Sequence, residues 1–165
     1  MYTAAVVTLS DKGSIGERED LSGKKIIEVL KQYEYKVEYY TILPDDIETI
    51  KNKLIELSDK NINLIITTGG TGFSKRDVTP EATIAVCDRM AYGISEAIRS
   101  YSLTITKRAM LSRGVSGIRK NSVIINLPGS LKAVTESLDV FMDIIGHGIG
   151  VLVGNDKECG NIKWQ

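Results

Sequence analysis

The sequence predicts an α/β fold with three layers, in which helices cover both faces of a mostly parallel sheet. Short apolar runs alternate along the chain with amphipathic segments at helical spacing. Such alternation is typical of strand-helix-strand crossovers, which join parallel strands. A chain of 165 residues is long enough for one sizeable core and short for two. We therefore predict a single domain over residues 1–165.

The first half of the chain is predicted to contain two strands and two helices. The strands are runs of apolar or β-forming residues that stop at the polar turn beginning with Ser10 and at Pro44. The helices carry apolar side chains at intervals of three and four residues. The predicted elements are the strand Ala4–Leu9, the helix Leu21–Tyr33, the strand Lys36–Leu43 and a helix from Ile47 to near Asn61.

The second half continues the same alternation. A buried strand, Leu64–Ile66, ends at a glycine-rich turn, and Thr79-Pro80-Glu81 predicts a helix start capped by Thr79. Residues 93–110 have helical composition, but the patch Thr104–Thr106 predicts a break. The remaining predicted elements are the strands Val115–Ile118 and Val123–Leu127 and a final helix from Leu131 through Ile145.

Charge and composition argue against several functional classes. Lys plus Arg equal Asp plus Glu at 21 each, so we expect no nucleic-acid binding by bulk charge. The longest nearly apolar stretch, Val140–Val153, contains Asp143 and is too short for a membrane span. Cys87, Cys159 and one histidine lack the spacing of a zinc site or disulfide framework. With no basic leader before Ala4, we predict a cytoplasmic protein without a membrane partner.

Unusual polar segments follow the predicted strands. The carboxyl ends of parallel strands meet at one edge of the sheet, where ligands of such folds bind. These segments are Ser10 and Asp11, then Asp45 and Asp46, then Gly69-Gly70-Thr71-Gly72 with Asp77, and finally Asn126, Pro128, Gly129 and Ser130.

The turn Gly69–Gly72 is a candidate phosphate site, because glycines let backbone N–H groups converge on an anion. It is not a Walker A loop, and Lys75 stands where the dinucleotide fingerprint needs its third glycine. From the glycines alone, a phosphate cradle and a flexible strand-to-helix connection are equally good explanations.

Asp45 and Asp77 are candidate ligands of Mg²⁺, with nucleotide phosphates completing the coordination. Each also has a simpler structural explanation, because Asp45 or Asp46 can cap the next helix and Asp77 can order its turn. Basic residues in the neighbouring loops offer a local rim for phosphates, although each alone is more typical of a solvated surface. They are Lys75, Arg76, Arg113, Arg119, Lys120 and Lys132.

Three strings together resemble the MogA-type molybdopterin adenylyltransferase family, which includes the G domain of gephyrin. They are TTGGTGFSKRDVTPEAT (Thr67–Thr83), LPD (Leu43–Asp45) and INLPGS (Ile125–Ser130). The resemblance extends to Ser10-Asp11 and to Leu111–Arg119, and it covers nearly the whole chain.

The resemblance implies adenylyl transfer from ATP to molybdopterin, assisted by Mg²⁺, with release of pyrophosphate during molybdenum cofactor biosynthesis. Asp45 and Asp77 match the family's two essential acids, so we expect both to be catalytic and, with Glu81, to bind the metal. The expected substrate-binding residues are Ser10, Asp11, Gly69, Gly70, Thr71, Gly72, Ser112, Arg113, Asn126, Pro128, Gly129 and Ser130.

The resemblance also implies a homo-oligomer, with a trimer favoured, and handover of the product to a molybdate-inserting protein of MoeA type. Some relatives of MoaB type lack one or both acids. A non-catalytic carrier or assembly module that binds pterin or nucleotide therefore stays open as the alternative. The intact P-D and R-D-V-T-P-E strings favour the enzyme.

Overall fold

A computed structural model describes residues 1–155; the rest of the predicted domain, with Cys159, lies outside the described residues. The strands and helices alternate as expected. In chain order they are β1 (Thr3–Leu9), α1 (Asp11–Ser14), α2 (Leu21–Gln32), β2 (Lys36–Leu43), α3 (Ile47–Asp59), β3 (Leu64–Thr68), α4 (Thr79–Val86), β4 (Arg89–Met90), α5 (Tyr92–Leu103), a 3₁₀ helix (Lys107–Leu111), β5 (Ser116–Arg119), β6 (Ser122–Leu127) and α6 (Leu131–Leu152).

One six-stranded sheet forms the centre of the molecule, with the strand order β2-β1-β3-β6-β5-β4. The first four strands in that order are parallel, whereas β5 and β4 continue the sheet in antiparallel pairing. The predicted mostly parallel sheet is confirmed. The parallel strands end at a common edge, and that edge is where the polar turns of the sequence collect.

Two apolar cores lie on opposite faces of the sheet because successive strand residues point to opposite sides. In β1, Ala4 and Val6 join the core formed with α2, α5 and α6, while Ala5 and Val7 join the core formed with α3 and α4. The central strands are buried on both faces, which explains why they read as continuous apolar runs. Within residues 1–155, no helix has the length and apolar character needed to cross a membrane.

Several local predictions need correction. Ser10–Gly13, predicted as a polar turn, begins the short helix α1, and Ser10 Oγ accepts a hydrogen bond from the Gly13 N–H at 3.0 Å. The edge strand β4 was not predicted, because two residues carry no readable alternation. Thr79 does not cap α4; it is the first helical residue, and its hydroxyl donates to the Gly69 carbonyl at 3.0 Å. The predicted break at Thr104 is confirmed, since α5 ends at Leu103.

Candidate functional site

A cavity of about 630 Å³ opens at the carboxyl edge of the sheet. Segments that are far apart in the sequence surround it, and eight of the predicted site residues lie in its wall. Those eight are Ser10, Asp11, Asp45, Gly69, Gly70, Asp77, Gly129 and Ser130.

Asp11 and Asp45 bind each other's turns reciprocally. The Asp11 N–H donates to Asp45 Oδ2 at 3.2 Å, and the Asp45 N–H donates to Asp11 Oδ1 at 3.0 Å. Arg76 then donates from Nε and Nη2 to the two oxygens of Asp11, at 2.9 and 2.8 Å. This guanidinium holds the pKa of Asp11 below its usual value. The turns after β1 and β2 are thereby joined at the cavity.

The other oxygen of Asp45, Oδ1, is buried and has no hydrogen-bond partner among the described residues. Asp46, not Asp45, caps α3, because Asp46 Oδ2 accepts from the Thr49 N–H at 2.9 Å. Burial raises the pKa of Asp45, and the charges of Asp11 and Asp77 raise it further. A buried carboxylate oxygen without a partner is a suitable ligand for a hard cation such as Mg²⁺.

The glycine turn packs directly against Asp45. Gly69 and Gly70 have φ values of 95° and 65°, a region that side chains other than glycine rarely adopt. A Cβ at Gly70 would lie 2.9 Å from Asp45 Oδ1 and closer still to Thr79 Oγ1. The Gly69 N–H donates to the Leu127 carbonyl at 3.1 Å, so it is already used within the protein. The turn therefore needs both glycines, because a Cβ at either position would meet neighbouring protein atoms.

Asp77 both orders its turn and lines the cavity. Its Oδ2 accepts from the Ser74 N–H at 3.1 Å, as the simpler structural explanation predicts. A Cβ at Gly72 would lie 2.8 Å from the same oxygen. The loop thus wraps around this carboxylate, and the second candidate metal ligand is placed at the same cavity as Asp45.

Glu81 and Arg113 form an ion pair outside this cavity. Among residues 1–155 there is no group of three or more His, Cys, Asp or Glu side chains arranged to hold a metal ion. Asp45 and Asp77 both line the larger cavity, and their expected role as metal ligands stays a prediction. Glu81 is engaged by Arg113, and its predicted role as a metal ligand stays a prediction.

The side chain of Asn126 is hydrogen-bonded within the protein, and its expected substrate contact stays a prediction. Its Nδ2 donates to Thr67 Oγ1 and Thr83 Oγ1, both at 2.9 Å, and its Oδ1 accepts from the Val115 N–H at 3.2 Å. Only 3% of the residue is exposed. Asn126 cross-links β6 to β3 and α4 behind the cavity.

A second cavity of about 350 Å³ adjoins the first and shares Ser130 with it. Two further predicted residues, Ser112 and Pro128, line this smaller cavity. Its remaining wall combines apolar side chains with cations, including Ile98, Ile105, Ala109, Arg108 and Lys132. Five predicted binding or metal residues lie in the wall of neither cavity: Thr71, Gly72, Glu81, Arg113 and Asn126.

Two cations on the larger cavity were missed by sequence reasoning. Lys12 and Arg18 line it, and neither forms an ion pair with another residue among 1–155. Arg76 and Lys120, predicted for the basic rim, are instead paired with carboxylates. Lys12 lies in α1, and Arg18 lies in the connection between α1 and α2. The sequence marks the end of that connection with Asp20, which caps α2 and accepts from the Gly23 N–H at 2.8 Å.

Comparison with known proteins places these features in a family. Residues 5–147 match the family model described as a probable molybdopterin binding domain. The chain is 43% identical over 156 residues to a molybdopterin adenylyltransferase of Helicobacter pylori, which covers 91% of this chain and 87% of the relative. It is 39% identical over 166 residues to gephyrin of Dictyostelium discoideum, which covers 94% of this chain and 23% of gephyrin.

Solved structures agree with these matches. The molybdopterin biosynthesis enzyme MoaB from Thermus thermophilus has a TM-score of 0.88 and 41% identity, and the match covers 93% of this chain and 98% of that one. The tungsten cofactor synthesizing protein MoaB from Pyrococcus furiosus has a TM-score of 0.85 and 32% identity, and covers 94% of this chain and 98% of that one.

Proposed function

Because this chain belongs to the molybdopterin adenylyltransferase family of MogA and MoaB type, we propose that it transfers AMP from ATP to molybdopterin with the help of Mg²⁺ and releases pyrophosphate. The family expected from the motifs is confirmed. The family places the chain in molybdenum cofactor biosynthesis.

One observation carries the proposal most directly. Asp45 Oδ1 is buried without a partner in the wall of a cavity that also contains Asp77 and the glycine turn. An unpaired buried carboxylate is costly unless a ligand compensates it. Asp45 and Asp77 would hold Mg²⁺, which when bound supplies charge neutralisation for the reacting phosphates.

The residues present suit a reaction that needs alignment more than proton transfer. The terminal phosphate of molybdopterin is already an anion near neutral pH, so no general base is required. One of its oxygens bonds to the α-phosphorus of ATP while the bond from that phosphorus to the β-bridging oxygen breaks, and pyrophosphate leaves with that oxygen. Lys12 and Arg18 attract the triphosphate, and the turn at Gly70 lets it approach the backbone.

The two cavities suit the two substrates. We assign the triphosphate to the larger, acid- and cation-lined cavity and the pterin ring to the smaller one, whose wall includes Ile98 and Ile105. The two meet at Ser130, where the reacting phosphates would face each other. Filling the smaller cavity with Ala133→Phe should raise KM for molybdopterin and leave KM for ATP unchanged. A rise in KM for ATP alone would reverse this assignment.

We further propose a cytoplasmic homotrimer that hands its product to a molybdate-inserting protein of MoeA type. Large apolar side chains exposed on the single chain support association, including Phe73 and Met110, which are 70% and 65% exposed. Sedimentation measurements should give three times the chain mass. A monomer at all concentrations would contradict the proposal.

The decisive experiment measures pyrophosphate release from Mg-ATP and molybdopterin. Wild type should release it only when both substrates are present, and Asp45→Asn and Asp77→Asn should be slower by roughly 10²-fold or more, the usual cost of losing a preorganised charge. Asp46→Asn is the matched control, because asparagine also caps helices and Asp46 is used in capping α3. Tight substrate binding without turnover in wild type would favour the carrier alternative.

A further inference from the structure

Arg113 spans the loop that presents Asp77. We call residues 69–78, between β3 and α4, the Asp77 loop. Arg113 Nε donates to the Gly72 carbonyl at 2.7 Å, and Nη2 donates to the Asp77 carbonyl at 2.7 Å. The Arg113 N–H donates to the Thr71 carbonyl at 2.8 Å. One residue therefore binds both the middle and the end of this loop.

The third arm of the guanidinium reaches α4. Nη1 is paired with the Glu81 carboxylate, which lies in the first turn of that helix. Guanidinium nitrogens form a rigid planar fork, so the contacts fix the backbone carbonyls of Gly72 and Asp77 and the side-chain carboxylate of Glu81 relative to one another. A lysine ammonium has no such fork and cannot hold the three acceptors in one plane.

The orientation of the Asp77 carboxylate depends on this loop. Its Oδ2 accepts from the Ser74 N–H and lies 2.8 Å from the position that a Cβ of Gly72 would take, so a shift of the loop would move the carboxylate. Arg113 itself lines neither cavity, and its donors are used by protein acceptors. It therefore acts on the site from outside.

We propose that Arg113, paired with Glu81, is a positioning residue that holds the Asp77 carboxylate in the orientation that binds the divalent cation. The inference rests on the proposed function for its importance in catalysis. It gives Arg113 and Glu81 a role different from the substrate and metal contacts expected from the family resemblance.

The test measures cation binding without any substrate. Electron paramagnetic resonance of free Mn²⁺, used as a stand-in for Mg²⁺, gives the affinity of the wild-type protein and of Arg113→Lys. The variant should bind Mn²⁺ about 10- to 100-fold more weakly, as is typical when the partner of a metal ligand is lost. Glu81→Gln keeps both carbonyl contacts of Arg113 and should show a smaller loss.

Arg119→Lys is the matched control. Arg119 donates from Nη1 to the Val86 carbonyl at 2.9 Å and so braces the other end of α4, away from the cavities. This variant should bind Mn²⁺ like wild type even where its melting temperature falls. Equal melting losses in both arginine variants with unchanged Mn²⁺ affinity would reduce Arg113 to a purely structural residue and overturn the inference.

Kinetics separate positioning from direct contact. Saturating Mg²⁺ should restore most of kcat in Arg113→Lys with little change in KM for either substrate. A raised substrate KM with unchanged Mn²⁺ affinity would show that Arg113 contacts substrate. A larger loss of Mn²⁺ binding in Glu81→Gln than in Arg113→Lys would identify Glu81 as a ligand. Each of these two results would overturn the inference, and so would a wild-type protein that does not bind Mn²⁺. Wild-type protein that binds Mn²⁺ but releases no pyrophosphate would overturn only the proposed function.

Discussion

Replacing Asp45 with asparagine should stabilise the protein in the absence of metal while it removes adenylyl transfer. The structural reason is that Oδ1 is buried without a partner and that the charges of Asp11 and Asp77 disfavour the ionised carboxylate. Asparagine keeps the shape of the side chain, and its carbonyl oxygen can still accept the hydrogen bond that Asp45 Oδ2 receives from the Asp11 N–H. The substitution removes the charge and keeps the joint between the two turns.

The expected gain is modest. An unsatisfied buried polar group costs about 1 to 3 kcal/mol and more when it is charged, and because asparagine still buries a polar atom here, only the extra cost of the charge is recovered. Asp45 as a whole is only partly buried, so solvent screens part of this cost and we expect a gain of about 1 kcal/mol. For a chain of this length, that corresponds to a rise in Tm of about 2 to 4 °C.

The pH dependence has a definite sign. The folded-state pKa of Asp45 lies above its ordinary value of 3.8, so the ionised carboxylate destabilises the fold at neutral pH. Below 3.8 the group is protonated in both the folded and the unfolded state, and the penalty disappears. The advantage of Asp45→Asn should therefore be largest above the raised pKa and shrink as the pH falls.

Thermal unfolding of wild type and Asp45→Asn in the presence of a chelator, from acid to neutral pH, measures the difference in Tm between them. When Mg²⁺ replaces the chelator, the Tm of wild type should rise and that of the variant should stay unchanged. At a Mg²⁺ concentration of a hundred times Kd, the free energy of unfolding of wild type should increase by about 2.7 kcal/mol. Asp46→Asn is the control and should give no gain, because its hydrogen bonds to Thr49 lower the pKa of Asp46. A lower Tm for Asp45→Asn with chelator at neutral pH would refute the reasoning.

Three further predictions concern a residue of the glycine turn, a buried residue behind the cavity and a residue of the apolar core. Gly70→Ala should lose activity and stability together, because its φ of 65° is unfavourable and the new Cβ meets Asp45 and Thr79; wild-type rates in the assay would contradict this. Asn126→Ala should lower the free energy of unfolding by about 1 to 3 kcal/mol in urea, since it removes the three hydrogen bonds of a buried side chain and leaves the Val115 N–H without its acceptor, and an unchanged midpoint would exclude the cross-link. Leu54→Ala, fully buried in the core under α3, should cost about 2 to 5 kcal/mol in the same measurement with little effect on KM, and a loss below 1 kcal/mol would mean the core relaxes around it.

Most of the fold follows from the sequence, because strands buried on both faces and amphipathic helices leave strong patterns. The strand Lys36–Leu43 was predicted with the bounds that the structure has. The elements that were missed are short: α1 has four residues and β4 has two, and neither contains a full period of its pattern.

The site was predicted less completely because roles depend on contacts between distant segments. Sequence placed Asp45 and Asp77 after strands, but only the structure shows which of Asp45 and Asp46 caps α3. Arg113 and Glu81 lie 32 residues apart, and their pairing leaves no local signal. The same holds for Asn126, whose partners lie 43 and 59 residues away along the chain.

The two ends of the strand order have a consequence for how copies of this molecule can join. β2 presents its outer margin to solvent and carries Lys36 and Glu38, whose ion pair of 2.8 Å would have to be desolvated beneath an added strand. At the far margin, β4 offers only two residues for backbone pairing. Neighbouring copies should therefore associate through side-chain surfaces, and intermolecular sheet growth of the amyloid kind is disfavoured at both margins.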